Sequence, residues 1–239
     1  MNNPNGPYPG RQLFLGMTSE RNPFFAYLIT GRSPESRERK GILVGEKIRI
    51  GPLGNLPYDP LRHYSAAVYD NQSAIAAVSN GIQTEAVFEI YKLLFNTAST
   101  PSKEYLEKVL EGAGAEPDSY HTPRIAGIIT YVAGKNGTPV FIIGIKNHSL
   151  PARAFQIEPD AGTLTGISTY KGSLENPEPA DQGSPLAKIK FAGATAEELA
   201  EFIFEISSAS YKSNDIRVCA IGGIFSPTRG WLISLTNAH

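Results

Sequence analysis

Short apolar runs broken by Gly, Pro and Asn dominate the chain. Residues 11–17 (RQLFLGM) and 24–30 (FFAYLIT) are two such runs with a short polar segment between them, which predicts a β-hairpin. Residues 42–50 (ILVGEKIRI) alternate in part and read as one further strand-like run, while runs at 65–69 and 74–79 flank the turn signal Asp70-Asn71. The same pattern places strands over 125–133, 138–145, 153–157, 163–169, 217–225 and 230–236, with Gly134–Gly137 as a hairpin loop.

Helical periodicity is rarer. Thr195 and Glu198 form a T-x-x-E capping box, followed by Leu199, Phe202, Ile203 and Ile206 at helical spacing. Ser102 precedes KEYLEKVLEG, which puts Leu106, Val109 and Leu110 on one face and predicts a stop at Gly112. Residues 84–96 (TEAVFEIYKLLFN) are apolar almost all round, so that helix is expected to lie sandwiched between layers. Many strands, two helices, more strands, one helix and two last strands make an α+β chain with mainly antiparallel sheets, not an alternating βαβ one. The Pro-, Gly- and acid-rich stretch 171–190 reads as a long loop excursion within a single domain spanning 1–239.

Composition narrows the function classes. Of 239 residues, 41% are hydrophobic and 19% charged, which fits a folded globular protein. Twenty-two basic against 23 acidic residues give a formal charge of −1, without the broad positive field that nonspecific nucleic-acid binding needs. One cysteine, Cys219, forms no internal disulfide, and four scattered histidines give no zinc-ligand spacing. No run is apolar for long enough to span a bilayer, and MNNPNGPYPG has no secretory-signal pattern. A free thiol without an export signal points to the cytoplasm.

Candidate chemistry is concentrated in four segments. Gly31-Arg32-Ser33-Pro34-Glu35-Ser36-Arg37-Glu38-Arg39-Lys40 gathers arginines that could grip a phosphate; its alternative is a solvated charged loop. Ser79-Asn80-Gly81 stands between a strand and a helix, either as an anion or amide site or as an ordinary turn. Thr122-Pro123-Arg124-Ile125 sets a guanidinium at the edge of an apolar run, where it needs a ligand or an ion pair with Glu116 or Asp118. Tyr58-Asp59-Pro60-Leu61-Arg62 offers a phenol, a carboxylate and a guanidinium, or simply a Pro-containing turn. No nucleophile elbow, phosphate-binding Walker loop or dinucleotide fingerprint is present.

In this order, these segments resemble the archaeal-type inosine monophosphate (IMP) cyclohydrolase family. Tyr8-Pro9-Gly10-Arg11, Ser168-Thr169-Tyr170, the Glu-Glu-Leu-Ala-Glu-Phe-Ile helix at 197–203 and Gly230-Trp231 join the resemblance, which runs from about residue 7 to the C-terminus. It implies a four-layer α-β-β-α fold of the N-terminal-nucleophile hydrolase type, here without the N-terminal nucleophile. It also implies closure of the purine ring of a formamido-imidazole ribotide, with no metal or organic cofactor and no nucleic-acid or membrane partner; a homo-oligomer is left open. By the same resemblance, Tyr58 and Glu116 would move protons, and Arg32, Arg124, Asn80 and Thr122 would contact the ribotide. Arg37, Arg62 and Tyr170 are further substrate contacts. Asp59 departs from an expected Asn, and Glu85 from an expected Asp; His121 is a further change. Asp59 would repel a phosphate unless an arginine pairs with it, and it leaves a noncatalytic ribotide-binding protein as a rival reading. An amide hydrolase matured by N-terminal processing is a third.

Overall fold

The computed structural model describes residues 8–132, 137–182, 187–207, 210–211 and 214–238. In chain order the elements are β1 (Gln12–Met17), β2 (Pro23–Thr30), the single turn α1 (Pro34–Arg37), β3 (Arg39–Val44), β4 (Lys47–Pro52), β5 (Tyr64–Asp70), β6 (Ile75–Ser79), α2 (Thr84–Asn96) and α3 (Lys103–Ala113). They continue with β7 (Arg124–Tyr131), β8 (Pro139–Lys146), β9 (Arg153–Ile157), β10 (Thr163–Ser168), β11 (Tyr170–Gly172), β12 (Pro177–Pro179) and β13 (Ala187–Lys190). The last are α4 (Ala196–Ser207), β14 (Ser210–Tyr211), β15 (Asn214–Asp215), β16 (Arg217–Ser226) and β17 (Gly230–Asn237).

The strands form two large antiparallel sheets, one ordered β13-β10-β1-β2-β16-β17 and the other a seven-stranded meander from β3 to β9. Alternation along each strand decides what each face meets. Leu13, Leu15, Tyr27, Ile29 and Ile221 of the first sheet pack against Val78, Ile129 and Ile143 of the second. Their sequence neighbours point the other way. Phe14, Leu28 and Ala220 meet Leu199 and Ile203 of α4, and Ala77, Ile128 and Ile142 meet α2 and α3. The result is an α+β sandwich with helices on both outer faces. No helix among the described residues is long and apolar enough to cross a membrane.

The structure departs from the pattern-based expectations at four places. Residues 42–50 are not one run: Gly45, at φ 58°, turns the chain so that Val44 pairs with Lys47 and two strands result. Helix α3 runs through Gly112 and stops at Gly114, whose φ of 65° ends the last turn. Helix α2 is not sandwiched; it lies on the outer face and leaves Leu93 62% exposed. The 171–190 stretch is not all loop, since β11 pairs with β12 and β13 forms the edge beside β10. The expected Gly134–Gly137 loop lies, apart from Gly137, outside the described residues. The Thr195–Glu198 capping box is present, with Glu198 N donating to Thr195 Oγ1 at 3.2 Å and Thr195 N to Glu198 Oε2 at 3.0 Å.

Helix α4 sits so close to β16 that a Cβ on Gly222 would lie 2.3 Å from the Ala196 carbonyl oxygen. Backbone cannot yield there as a side chain can. Gly222→Ala should therefore lower unfolding stability by about 1–3 kcal/mol in urea titration. An unchanged midpoint would show that α4 shifts freely on the sheet.

Candidate active site

Because the interiors of the central strands β2, β6 and β7 are buried on both faces, polar side chains collect where strands begin and end. At one end of the sandwich Arg11 precedes β1, Thr30 closes β2 and Arg39 opens β3. Asn80 follows β6, and Thr122 and Arg124 lead into β7. Together with the α3–β7 connection they surround a cleft of about 480 Å³. Its walls include Tyr8, Arg11, Arg32, Arg39, Arg62, Glu116, Asp118, Thr122 and Tyr170.

Glu116 is the carboxylate at its floor, only 3% exposed. Arg11 Nη2 donates to its Oε2 at 3.0 Å and its Oε1 at 3.3 Å, and Asn80 Nδ2 donates to Oε1 at 3.2 Å. The loop that carries it is tied down locally. Glu116 N donates to the Thr122 carbonyl at 2.9 Å, and Thr122 N donates to Asp118 Oδ1 at 2.8 Å. Asn80 completes the attachment, accepting from Ile125 N and donating to the Pro123 carbonyl, each at 2.8 Å. Burial pushes the Glu116 carboxyl above its ordinary range, and the nearby Arg11 and Arg124 charges oppose that without cancelling it.

Tyrosines line the same end. Tyr170 is hydrogen-bonded to the Thr122 hydroxyl, and burial pushes its phenol up to about 12. Tyr27 and Tyr64 share a buried hydroxyl–hydroxyl bond of 2.8 Å between the two sheets. The rim is cationic. Arg32 lies over the Tyr120 ring at 3.7 Å, and Arg62 pairs with Asp59 at 2.9 Å.

Of the residues named from sequence, Arg32, Arg62, Glu116, Thr122 and Tyr170 line the cleft, and Asn80 is buried against Glu116. Arg124 is buried beside them and donates to Gln83 Oε1 at 3.1 Å. Of the two alternatives open for it, the ion pair with Glu116 or Asp118 is not formed; Arg11 is the partner of Glu116. Arg37 turns back on its own loop, donating to the Gly31 and Arg32 carbonyls at 3.2 and 3.1 Å. Tyr58 is 71% exposed, set against His63 in a neighbouring groove of about 560 Å³ with Ile42, Tyr64 and Ile82. Sequence reasoning did not single out Arg11 as a site residue, and it marked Arg39 only as one of several arginines in the 31–40 loop. The available signal for Arg11 was a cation separated by one residue from the apolar run that starts at Leu13.

A family model described as IMP cyclohydrolase-like protein matches residues 8–227. The chain belongs to this family. Among similar curated proteins, one from Thermococcus kodakarensis is 28% identical over 229 residues, covering 96% of this chain and 98% of its own length. One from Methanococcus maripaludis strain S2 is 28% identical over 200 residues, covering 83% and 88%. One from Methanocaldococcus jannaschii is 27% identical over 198 residues, covering 82% and 85%. All three are named IMP cyclohydrolase. Within this cyclohydrolase-like chain, Asp59 does not stand as a bare negative charge beside the arginines, because Arg62 neutralises it.

The perturbed carboxyl has a measurable signature. With its affinity for protons raised, folded Glu116 keeps a proton at pH values where the unfolded chain has lost it. Its contribution to stability therefore falls as pH rises from the ordinary carboxylate range through the raised value. Denaturation across that range should show wild type losing stability relative to Glu116→Gln, whose amide does not titrate. Parallel curves for the two proteins would show an unperturbed carboxyl.

Proposed function

We propose that this chain is an IMP cyclohydrolase, interconverting 5-formamidoimidazole-4-carboxamide ribotide with IMP and water. The observation that carries the reading is a buried carboxylate, fixed by Arg11 and Asn80, at the floor of an arginine-rimmed cleft. Family membership along nearly the whole chain supports it. In the forward direction the carboxamide nitrogen attacks the formyl carbon of the same molecule, a C–N bond forms, and a hydroxyl-bearing tetrahedral centre results. Loss of that hydroxyl as water then completes the ring.

Both reacting groups belong to one molecule, so holding the formyl group in its reactive rotamer supplies much of the acceleration. Glu116 is suited to take the nitrogen's proton, since burial raises its basicity and Arg11 and Asn80 fix its orientation. Thr122 supplies a hydrogen bond for the carboxamide or ring. Asn80, expected to do the same, instead spends its amide on Glu116, Pro123, Ile125 and Gln83 and so positions the carboxylate, and Arg124 lies behind them. Arg32 and Arg62 provide cationic contacts at the rim, Tyr170 closes a wall, and Arg37 braces the loop bearing Arg32. Tyr58 is the proposed proton donor to the departing hydroxyl, reaching it through movement of the 58–62 loop. Such a reaction needs no metal or organic cofactor.

The two sheets with outer helices support an arrangement of the N-terminal-nucleophile hydrolase type in one domain, 1–239, with 171–190 as an excursion from it. Arg11 stands before the first strand, so the chemistry here differs from attack by a terminal nucleophile. The protein works in the cytoplasm on a small ribotide and not on nucleic acid or a membrane; self-association is compatible with this reading. The exposure of Tyr58 is the one observation favouring a noncatalytic ribotide-binding protein. Incubation with the formamido ribotide, followed by absorbance as the purine forms, separates the two: binding without conversion favours the rival.

Tyr58→Phe and Glu116→Gln should each lower turnover by roughly 10²- to 10⁴-fold with a smaller effect on binding. If they act as one unit, the double variant is little worse than the poorer single one. Near-normal turnover of the folded variants would remove both from the chemistry. Arg32→Ala should weaken ribotide binding; equal affinity at low salt would leave Arg32 as surface charge only.

A further inference from the structure

The guanidiniums of the cleft are unequally matched. Arg11 is paired with Glu116 and Arg62 with Asp59. Arg39 and Arg32 have no carboxylate within ion-pair distance among the described residues, yet their surroundings differ. Arg32 lies at the rim over Tyr120, whereas Arg39 is only 3% exposed. Arg39 Nε donates to the Ser36 carbonyl at 2.7 Å and Nη1 to the Arg62 carbonyl at 3.3 Å. Its Nη2 has no acceptor among the described residues, although the side chain lines the cleft. Burial acts on it most strongly, Tyr64, Tyr27 and Tyr8 lie around it, and Arg11 is the neighbouring cation. Burial lowers its hold on its proton, an unusual direction for an arginine. The Arg39 charge in turn adds to burial in keeping His63 neutral.

A buried cation surrounded by neutral acceptors and another cation is destabilising unless an anion completes the site. Of the guanidiniums that line the cleft, the two without carboxylate partners match the charge of about −2 that a phosphate monoester carries near neutral pH, Arg124 being held by Gln83 outside that lining; a carboxylate would match only one. The planar fork of Arg39 also suits two oxygens of a tetrahedral anion. We propose that Arg39 is the buried anchor for the ribotide's phosphate monoester, with Arg32 closing over the same group from the rim. This assignment rests on the ribotide reading above and adds to it the residue that selects phosphorylated over unphosphorylated substrate.

The test is calorimetric binding of IMP, inosine and inorganic phosphate to wild type, Arg39→Met and Arg39→Lys. Expected are a loss of about 10²-fold or more in IMP affinity for Arg39→Met, unchanged inosine affinity, and loss of the thermal stabilisation that inorganic phosphate gives wild type. Arg39→Lys, which keeps the charge without the fork, should recover part of both losses. Without ligand, Arg39→Met should melt at or above the wild-type temperature, because it removes a charge that has no counterion. A purely structural Arg39, tying the Ser36 turn to Arg62, predicts instead a lower melting temperature and an unaltered preference for IMP over inosine. That result overturns the anchor while leaving the ribotide reading intact. Arg39-dependent binding of inorganic phosphate by a wild type that fails to bind IMP upholds the anchor and removes the ribotide.

Discussion

Burial on both faces is the constraint from which the rest of this structure follows. All eight residues of β2 are buried, one set against the opposite sheet and the other against α4. Strands placed this way have little room for polar chemistry along their length. What polar groups the fold needs for function must sit at strand termini, and antiparallel pairing brings alternate termini to a common edge. The cleft therefore lies where β1, β3 and β7 begin and β2 and β6 end. Glu116 comes from a loop, but its position is set by Asn80 and by the Asp118–Thr122 turn, both fixed to strand ends.

The same constraint explains which parts of the molecule were legible in the sequence. Apolar runs of five to ten residues bounded by Gly, Pro and Asn locate the long strands because those runs face two hydrophobic layers. The Thr195 capping box was equally legible, since it is a local hydrogen-bond exchange. The errors arose where a short-range signal competed with a wider one. Gly45 breaks a run that still alternates on either side. The apolar character of α2 covers residues such as Leu93 that the fold leaves in solvent.

The site was less legible than the fold, and for a physical reason. Arg32, Arg37 and Arg39 stand in one loop, so composition marks all three as anion ligands without ranking them. Their fates depend on partners far along the chain or on loop backbone: Arg32 on Tyr120, Arg37 on its own carbonyls, and Arg39 on burial beneath residues near 62. The partner of Glu116 lies 105 positions away at Arg11, a pairing that no local spacing rule contains. Arg124, nearer in sequence, binds Gln83 instead.

The placement of arginines at two depths also divides their response to ionic strength. Arg62 is partly solvated and Arg32 lies at the rim, so dissolved salt screens their fields over roughly 8–10 Å at ordinary concentrations. Their attraction for an approaching anion belongs to the diffusional encounter and weakens as salt is added. Arg39, which is buried, and Arg11, whose side chain is 13% exposed, lie deeper than the rim, and salt screens their contacts less. On the proposed reading, capture at the mouth and retention at the floor are consequently separate properties. Added electrolyte slows arrival at the cleft far more than it hastens departure from it.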